Sequence, residues 1–348
     1  MNTKSDSNYL DVLQLFRGIA AIMVVLHHSI SSIKYYHKIN MPFLYYLGSI
    51  GKYGVDFFFV LSGFIITYSA LDKYNQPNSF SNYVKNRMIR IYIPYLPIGV
   101  FMLLVYTYLP SFSNGNREIS AITSMTLVPH GNPALSAAWT LTFELCFYLL
   151  FSISFLSRKI WNCFVGLWLV ALIIINYSKF CTGTFLNNSA LRILFSTYNF
   201  EFILGYVLAL LVVQKIKLHR LLSTLLLVLF LMAFLYFTFN NLNLFAFDVN
   251  LLFAIAAFLS IFIASSIDNL KINKTAVMML VGNATYSIYL IHNPLQMILM
   301  RLFPEITTLL GVIIALTVVL ILSCFVGYLY YLVFEKKGIS YIKLKFIK

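Results

Sequence analysis

Arg17 and His28 stand eleven residues apart in an otherwise apolar stretch, Leu10-Asp11-Val12-Leu13-Gln14-Leu15-Phe16-Arg17 through Val24-Val25-Leu26-His27-His28. At 3.6 residues per turn that spacing is close to three whole turns. The two side chains therefore share one helix face, about 16 Å apart along the axis, and His27 is rotated away by about 100°. A neutral imidazole exchanges protons near pH 7. A guanidinium holds oxyanions with a planar fork of donors. Two carboxylates sit in similar apolar runs. Asp56 lies in Gly54-Val55-Asp56-Phe57-Phe58-Phe59-Val60-Leu61-Ser62-Gly63-Phe64, and Glu144 in Trp139-Thr140-Leu141-Thr142-Phe143-Glu144-Leu145-Cys146-Phe147-Tyr148. Tyr148 falls one turn beyond Glu144 on the same side. His292 lies in Thr285-Tyr286-Ser287-Ile288-Tyr289-Leu290-Ile291-His292-Asn293-Pro294, where the proline frees a backbone carbonyl and kinks the helix. Arg87 and Arg90 of Lys85-Asn86-Arg87-Met88-Ile89-Arg90 share a face at i, i+3 and open a helix that carries Pro94. Two guanidiniums beside a helix N-terminus suit phosphate.

The elements that must position these residues are membrane spans. Of 348 residues, 60% are hydrophobic and 10% charged. A soluble domain carries about 25% charged residues, and a chain this apolar could not cover its own surface in water. Disorder is excluded by the same composition. Runs of about 20 apolar residues, enough to span a bilayer, are expected near 10–31, 52–70, 89–109, 138–157, 160–176, 196–214, 220–239, 248–266, 276–300 and 307–334. The fold class is therefore all-α, a polytopic integral membrane protein of about ten helices in one domain, residues 1–348. The first run lacks a clearly basic n-region and a small-x-small cleavage site, so it reads as a retained helix.

The net charge of +14 would suggest nucleic acid in a soluble protein. Here it follows the positive-inside rule, and no nucleic acid is expected. With the N-terminus inside, 17 of the 25 Lys and Arg residues fall on cytoplasmic segments and seven on outer ones, with Arg17 within the first span. Both termini are then cytoplasmic, and the basic tail from Glu335 to Lys348 faces lipid. The four cysteines, Cys146, Cys163, Cys181 and Cys324, lack metal spacing. Only Cys181 falls in an expected outer loop, so neither a disulfide nor a metal site is expected.

Ionisable residues inside a bilayer are costly and usually mark function. The expected topology gives the array a direction: Arg87 and Arg90 inside, Arg17 between, and His28, His292, Asp56 and Glu144 toward the outside. Glu201 and Asp248 fall at the same outer level, as structural or substrate-lining groups. Each residue also has an ordinary reading. Arg17 could snorkel inward with the histidines at the outer interface. Asp56 could sit at a helix N-terminus for the dipole alone. His292 could be a satisfied core histidine, and Arg87 and Arg90 could be topology anchors. Glu144, about two turns deep, lies beyond the reach of capping.

In order along the chain, these segments resemble the membrane-bound acyltransferase-3 family of bacterial surface-sugar O-acyltransferases. Arg17 to His28 resembles its Arg/Lys-x10-His motif, and Gly54 to Phe64 its second signature. Arg87-Met88-Ile89-Arg90-Ile91 with Pro94, Trp139-Thr140-Leu141 with Glu144 and Tyr148, and Tyr286 to His292 with Pro294 follow in family order. The likeness covers about residues 9–335 and is nearest the short exopolysaccharide-type members without an appended extracytoplasmic domain. Glu335-Lys336-Lys337 departs from it, standing where many members have Glu-x-Pro.

The resemblance implies a multi-pass protein of the bacterial cytoplasmic membrane. It implies transfer of an acyl group, usually acetyl, from cytoplasmic acetyl-CoA as co-substrate to a sugar hydroxyl of a surface or exported polysaccharide or glycolipid, without a metal. A sugar hydroxyl is a poor nucleophile until a base takes its proton. His28 is the expected base, or a transient acyl carrier. Glu144 or Asp56 would orient it and stabilise imidazolium, and Arg17 would steady the thioester end or a developing charge. Arg87 and Arg90 would hold CoA phosphates, and Asp56, Tyr148 and His292 would line the substrate.

A transporter or flippase for a polar lipid or sugar would also bury charges along a pathway. Neither an inverted repeat nor paired broken helices are visible in the sequence, as that class would favour. A membrane scaffold leaves the shared face of Arg17 and His28 without a reason. Reporter fusions after residues 115 and 185 should read outside, and one after residue 217 inside. The reverse pattern would put the arginines on the wrong side for a cytoplasmic donor.

Overall fold

The computed structural model describes residues 4–39, 41–74, 76–112, 118–177, 188–216, 219–240, 248–265 and 277–346. In chain order the helices are α1 (Lys4–His37), α2 (Pro42–Gly51), α3 (Gly54–Ala70), α4 (Ser79–Tyr108), α5 (Ala121–Thr126), α6 (Ala138–Phe151), α7 (Ile153–Leu156), α8 (Arg158–Tyr177), α9 (Ser189–Leu194), α10 (Tyr198–Val213), α11 (Arg220–Phe239), α12 (Asp248–Ser265), α13 (Val277–Asn283), α14 (Thr285–Leu302), α15 (Leu309–Tyr330) and α16 (Ile339–Phe346). A π-helical segment, Tyr331–Gly338, joins α15 to α16. Among the described residues the only β contact is a parallel bridge between Ile119 and Asn132.

Among the described residues, seven helical segments are long and apolar enough to cross a membrane, and Tyr198–Val213 and Val249–Ser265 are shorter apolar helices. The protein is an all-α polytopic membrane protein. Its outward faces carry the solvent's signature. On α11, Leu221, Leu225, Val228, Leu229, Met232 and Tyr236 are all exposed. In water such a stripe would be an aggregation surface. Against lipid tails it costs nothing, because the tails are as apolar as leucine.

Several boundaries differ from those expected of the sequence. α4 begins at Ser79, ten residues before the apolar run, because the buried ring of Tyr83 is anchored, its hydroxyl donating to the Tyr148 carbonyl at 3.2 Å. Arg87 and Arg90 are thus the ninth and twelfth residues of α4 rather than its start. The dipole acts within the first turn, so no helix N-terminus assists these two guanidiniums. The expected span 276–300 is broken at Ala284 into α13 and α14, and the helix expected to end at 334 continues to Phe346. The 28-residue loop 110–137 contains a helix of its own, α5, capped by Ser120, whose hydroxyl accepts from the Thr123 amide. Cys146, Cys163 and Cys324 are free thiols, and Cys181 lies outside the described residues.

The contacts gather into two compact units. The first contains residues 4–13, 55–84 and the described part of 143–265; the second contains 14–54, 85–142 and 277–346. The first is an aromatic core. Phe202 packs on Phe59 at 4.7 Å and on Phe147 at 4.6 Å between ring centres. There α3 and α10 touch backbone to backbone: a Cβ on Gly63 would strike the Phe202 carbonyl, and one on Gly205 the Val60 carbonyl.

In the second unit, α13 and α14 run alongside α1 in the same direction. Gly282 meets the Gln14 carbonyl, Ile288 packs with Val25, and Met300 packs with Ile33. The hydroxyls of Tyr286 and Tyr330 tie α14 and α15 to α4, donating to the carbonyls of Ile91 at 3.0 Å and Pro94 at 2.6 Å. A Gly282→Val substitution should cost about 1–3 kcal/mol by overpacking, read as a lower thermal midpoint in detergent. Gly166→Val on α8, where a new Cβ meets nothing within 4 Å, should leave that midpoint unchanged. Equal midpoints for both variants would refute the close packing of α13 on α1.

Candidate active site

In the second unit, α1 and α14 bring two imidazoles together. The rings of His28 and His292 lie 5.1 Å apart at 46°. The register is set just beyond them by Gln296, whose Nε2 donates to Ser29 Oγ at 2.9 Å and to the Val25 carbonyl at 3.2 Å. His292 is completely buried (0% exposed), with Tyr289 5.5 Å away. Neither ring nitrogen makes a well-formed hydrogen bond among the described residues, and the backbone of Ile288 and Tyr289 offers only weak ones. His27 turns the other way, its Nδ1 2.8 Å from the Gly48 carbonyl oxygen.

His28 opens onto a cavity of about 290 Å³. Hydroxyls of Ser31 and Ser136, the rings of Tyr36 and Tyr106 and the amide of Asn293 line it. The Asn293 Nδ2 donates to Ser136 Oγ at 2.9 Å, which fixes two of the wall's polar groups to each other. A base beside a wall of hydroxyls and rings can bind a polyol and take a proton from it.

Further along α1, Arg17 Nη1 donates to Gln14 Oε1 at 3.1 Å. The charges of Arg17 and Glu335 both act on the Tyr331 hydroxyl. Glu335 sits in the π-helical segment and accepts from Ser287 Oγ at 2.8 Å. Such segments often occur at functional sites. Arg87 and Arg90 precede Ile91, the residue that Tyr286 holds.

The carboxylates Glu144 and Asp56 belong to the first unit. Glu144 accepts from Ser62 Oγ at 3.1 Å and from the Tyr148 hydroxyl. Asp56 and Glu201, each 3% exposed, hydrogen-bond to one another. The side chain of Asp248 lies outside the described residues. The second unit therefore brings together Arg17, His28, Arg87, Arg90 and His292, and the first Asp56, Glu144 and Tyr148. Sequence reasoning missed Ser62, Ser287 and the pairing of Asp56 with Glu201. Ser62 and Ser287 were visible as hydroxyls inside quoted motifs. Among the described residues no group of three His, Cys, Asp or Glu could hold a metal ion.

A family model described as an acyltransferase domain matches residues 9–331. The chain belongs to the acyltransferase-3 family. Comparisons with curated proteins and with solved structures return no match. The acyltransferase match runs through both compact units and takes in every site residue above except Glu335. The protein is thus a multi-pass membrane acyltransferase.

The buried carboxyl pair of this acyltransferase can be tested directly. Glu201→Gln keeps a hydrogen-bonding partner for Asp56 and should unfold near the wild-type temperature. Glu201→Ala leaves Asp56 buried without that partner and should cost about 1–3 kcal/mol. Thermal unfolding in detergent separates them, and a wild-type midpoint for Glu201→Ala would refute the pairing.

Proposed function

We propose that the acyltransferase moves acetyl from cytoplasmic acetyl-CoA to a hydroxyl of a cell-surface or exported polysaccharide or glycolipid sugar. It would act in the bacterial cytoplasmic membrane, with about ten spans and both termini cytoplasmic. One observation carries the reading: His28 opens onto a cavity whose walls are hydroxyl, amide and aromatic groups. Such walls suit a sugar, hydrogen-bonding its hydroxyls and stacking on its apolar ring face. A transporter would also bury charges such as Asp56 and Glu201, and the match to an acyltransferase domain favours acyl transfer over it.

The proposed chemistry uses residues of the second unit. The acceptor hydroxyl enters the cavity and gives its proton to a ring nitrogen of His28 as its oxygen attacks the thioester carbonyl carbon. The carbon–sulfur bond then breaks, and the departing thiolate takes the proton from His28. The products are an acetylated sugar and free CoA thiol. Arg17 steadies the donor as charge develops. Arg87 and Arg90 hold the CoA phosphates by bidentate, charge-assisted hydrogen bonds. These arginines do so without help from a helix N-terminus, since α4 begins at Ser79. The pantetheine arm would lie along α1, where Arg17 and His28 are about 16 Å apart. His292, buried against His28, would position that ring.

The test is acyl transfer by the purified, reconstituted protein, read as thiol release from acetyl-CoA together with acetylated sugar. His28→Ala should lower transfer by on the order of 10²–10⁴-fold. His27→Ala should keep substantial activity and lose only about 1 kcal/mol of stability with its bond to the Gly48 carbonyl. An active His28→Ala protein would overturn the base assignment. Sugar movement by the wild type with no thiol released would favour the transporter.

A further inference from the structure

Arg301 has no part in the chemistry above. It lies in the last turn of α14 and is exposed. Its Nη1 donates to the Met297 carbonyl oxygen at 2.7 Å. Its guanidinium carbon lies 4.5 Å from the centre of the Phe112 ring and 5.0 Å from that of Tyr36. Met297, Phe112 and Tyr36 all line the His28 cavity. The guanidinium is thus fixed at the edge of that cavity by α14, α1 and the short turn Pro110–Phe112.

A cation at a helix C-terminus is favoured by the dipole alone. That accounts for the charge and not for its placement across two rings of the cavity wall. A guanidinium has five N–H donors, and Arg301 commits one group to Met297. Among the described residues it makes no ion pair with a carboxylate. The remaining donors are held in a planar fork that matches a carboxylate or phosphoryl group through two parallel bonds. The two rings and the bond to Met297 restrict the side chain, so less is lost when an anion docks. The cavity lining itself includes no carboxylate, arginine or lysine, so Arg301, held against three of its lining residues, is the charge at its edge.

We propose that Arg301 reads an anionic group on the acceptor sugar, a carboxylate or a phosphoryl group, while a hydroxyl of the same sugar meets His28. This rests on the reading of the cavity as the acceptor site. The size of the cavity places the anion close to the acylated ring. At about 290 Å³ it lies just below the usual range of ligand pockets, roughly 300–1,000 Å³, and itself takes about one sugar ring. The anion is then carried by that ring, as in a uronic acid, or joined directly to it, as in a sugar phosphate.

Calorimetric binding to the full-length protein in detergent tests this with three probes: methyl glucuronoside, glucose 1-phosphate and methyl glucoside. Wild type should bind at least one anionic probe roughly tenfold or more tightly than methyl glucoside, the usual worth of a charge-assisted hydrogen bond. Preference for the glucuronoside assigns the carboxylate, and preference for glucose 1-phosphate the phosphoryl group. Arg301→Gln should abolish the preference, and Arg301→Lys, which keeps the charge without the fork, should retain part of it. Equal binding of all three probes by the wild type overturns the inference and leaves the acceptor site standing. So does an equal loss for charged and neutral probes in Arg301→Gln, because the arginine then only braces the wall. Failure of the wild type to bind any of the three overturns the acceptor-site reading and this inference with it.

Discussion

Hydrocarbon offers no hydrogen bonds, so every polar group carried into a span must find its partner within the protein. Most of this structure's polar contacts are answers to that constraint. Small hydroxyls solve it locally by folding back on their own helix. Ser29 Oγ donates to the Val25 carbonyl at 2.7 Å and Thr67 Oγ1 to the Gly63 carbonyl at 2.8 Å. Charged groups need partners from other turns or other helices. Arg17 has Gln14, Glu144 has Ser62 and Tyr148, Glu335 has Ser287, and Asp56 has Glu201. Each pairing restricts which helices can be neighbours and in what register. The same constraint makes His292 informative: it is held in the interior against His28 without a well-formed bond of its own.

Backbone proximity makes these pairings possible. Two helices with large residues at their contact stand 8–10 Å apart, and short polar side chains cannot meet across them. Gly282 removes that spacing between α13 and α1, as Gly63 and Gly205 do between α3 and α10. With α13 seated on the Gln14 carbonyl, α14 follows α1 turn by turn. Ile288 then meets Val25, His292 meets His28, and Gln296 meets Ser29. The imidazole pair is therefore a consequence of a small residue two to three turns away from it.

This division between local and distant causes decides what the sequence could disclose. The shared face of Arg17 and His28 was legible because helical periodicity is a property of one segment. So was the turn of His27 away from it, and so was the span 220–239, which α11 matches at both ends. The partners of the buried acids were not legible. Ser62 is 82 residues from Glu144, and Ser287 is 48 from Glu335. No pattern within one helix encodes such a meeting. The start of α4 at Ser79 was hidden for the same reason, since the polar residues that open it are held by Tyr83 on the Tyr148 carbonyl. The break at Ala284 falls beside Gly282, where α13 seats on α1, a contact that hydropathy does not record.

The end of the chain shows how one residue identity changes the meaning of its neighbour. A proline two places after Glu335 would lack the N–H that a helix interior needs and would cost about 3 kcal/mol or more there. Lys337 stands in that place. The backbone therefore passes from α15 through the π-helical segment into α16 without interruption. The widened turn still presents Glu335 to Ser287, one residue after Tyr286, whose hydroxyl holds α4 at Ile91. Tyr330, at the end of α15, holds the same helix at Pro94. The carboxylate is thus framed by two tyrosine ties to the helix that carries Arg87 and Arg90. The contact of Glu335 with Ser287 forms inside a continuous helical path, so it depends on the packing of α14 and α15 rather than on a helix stop.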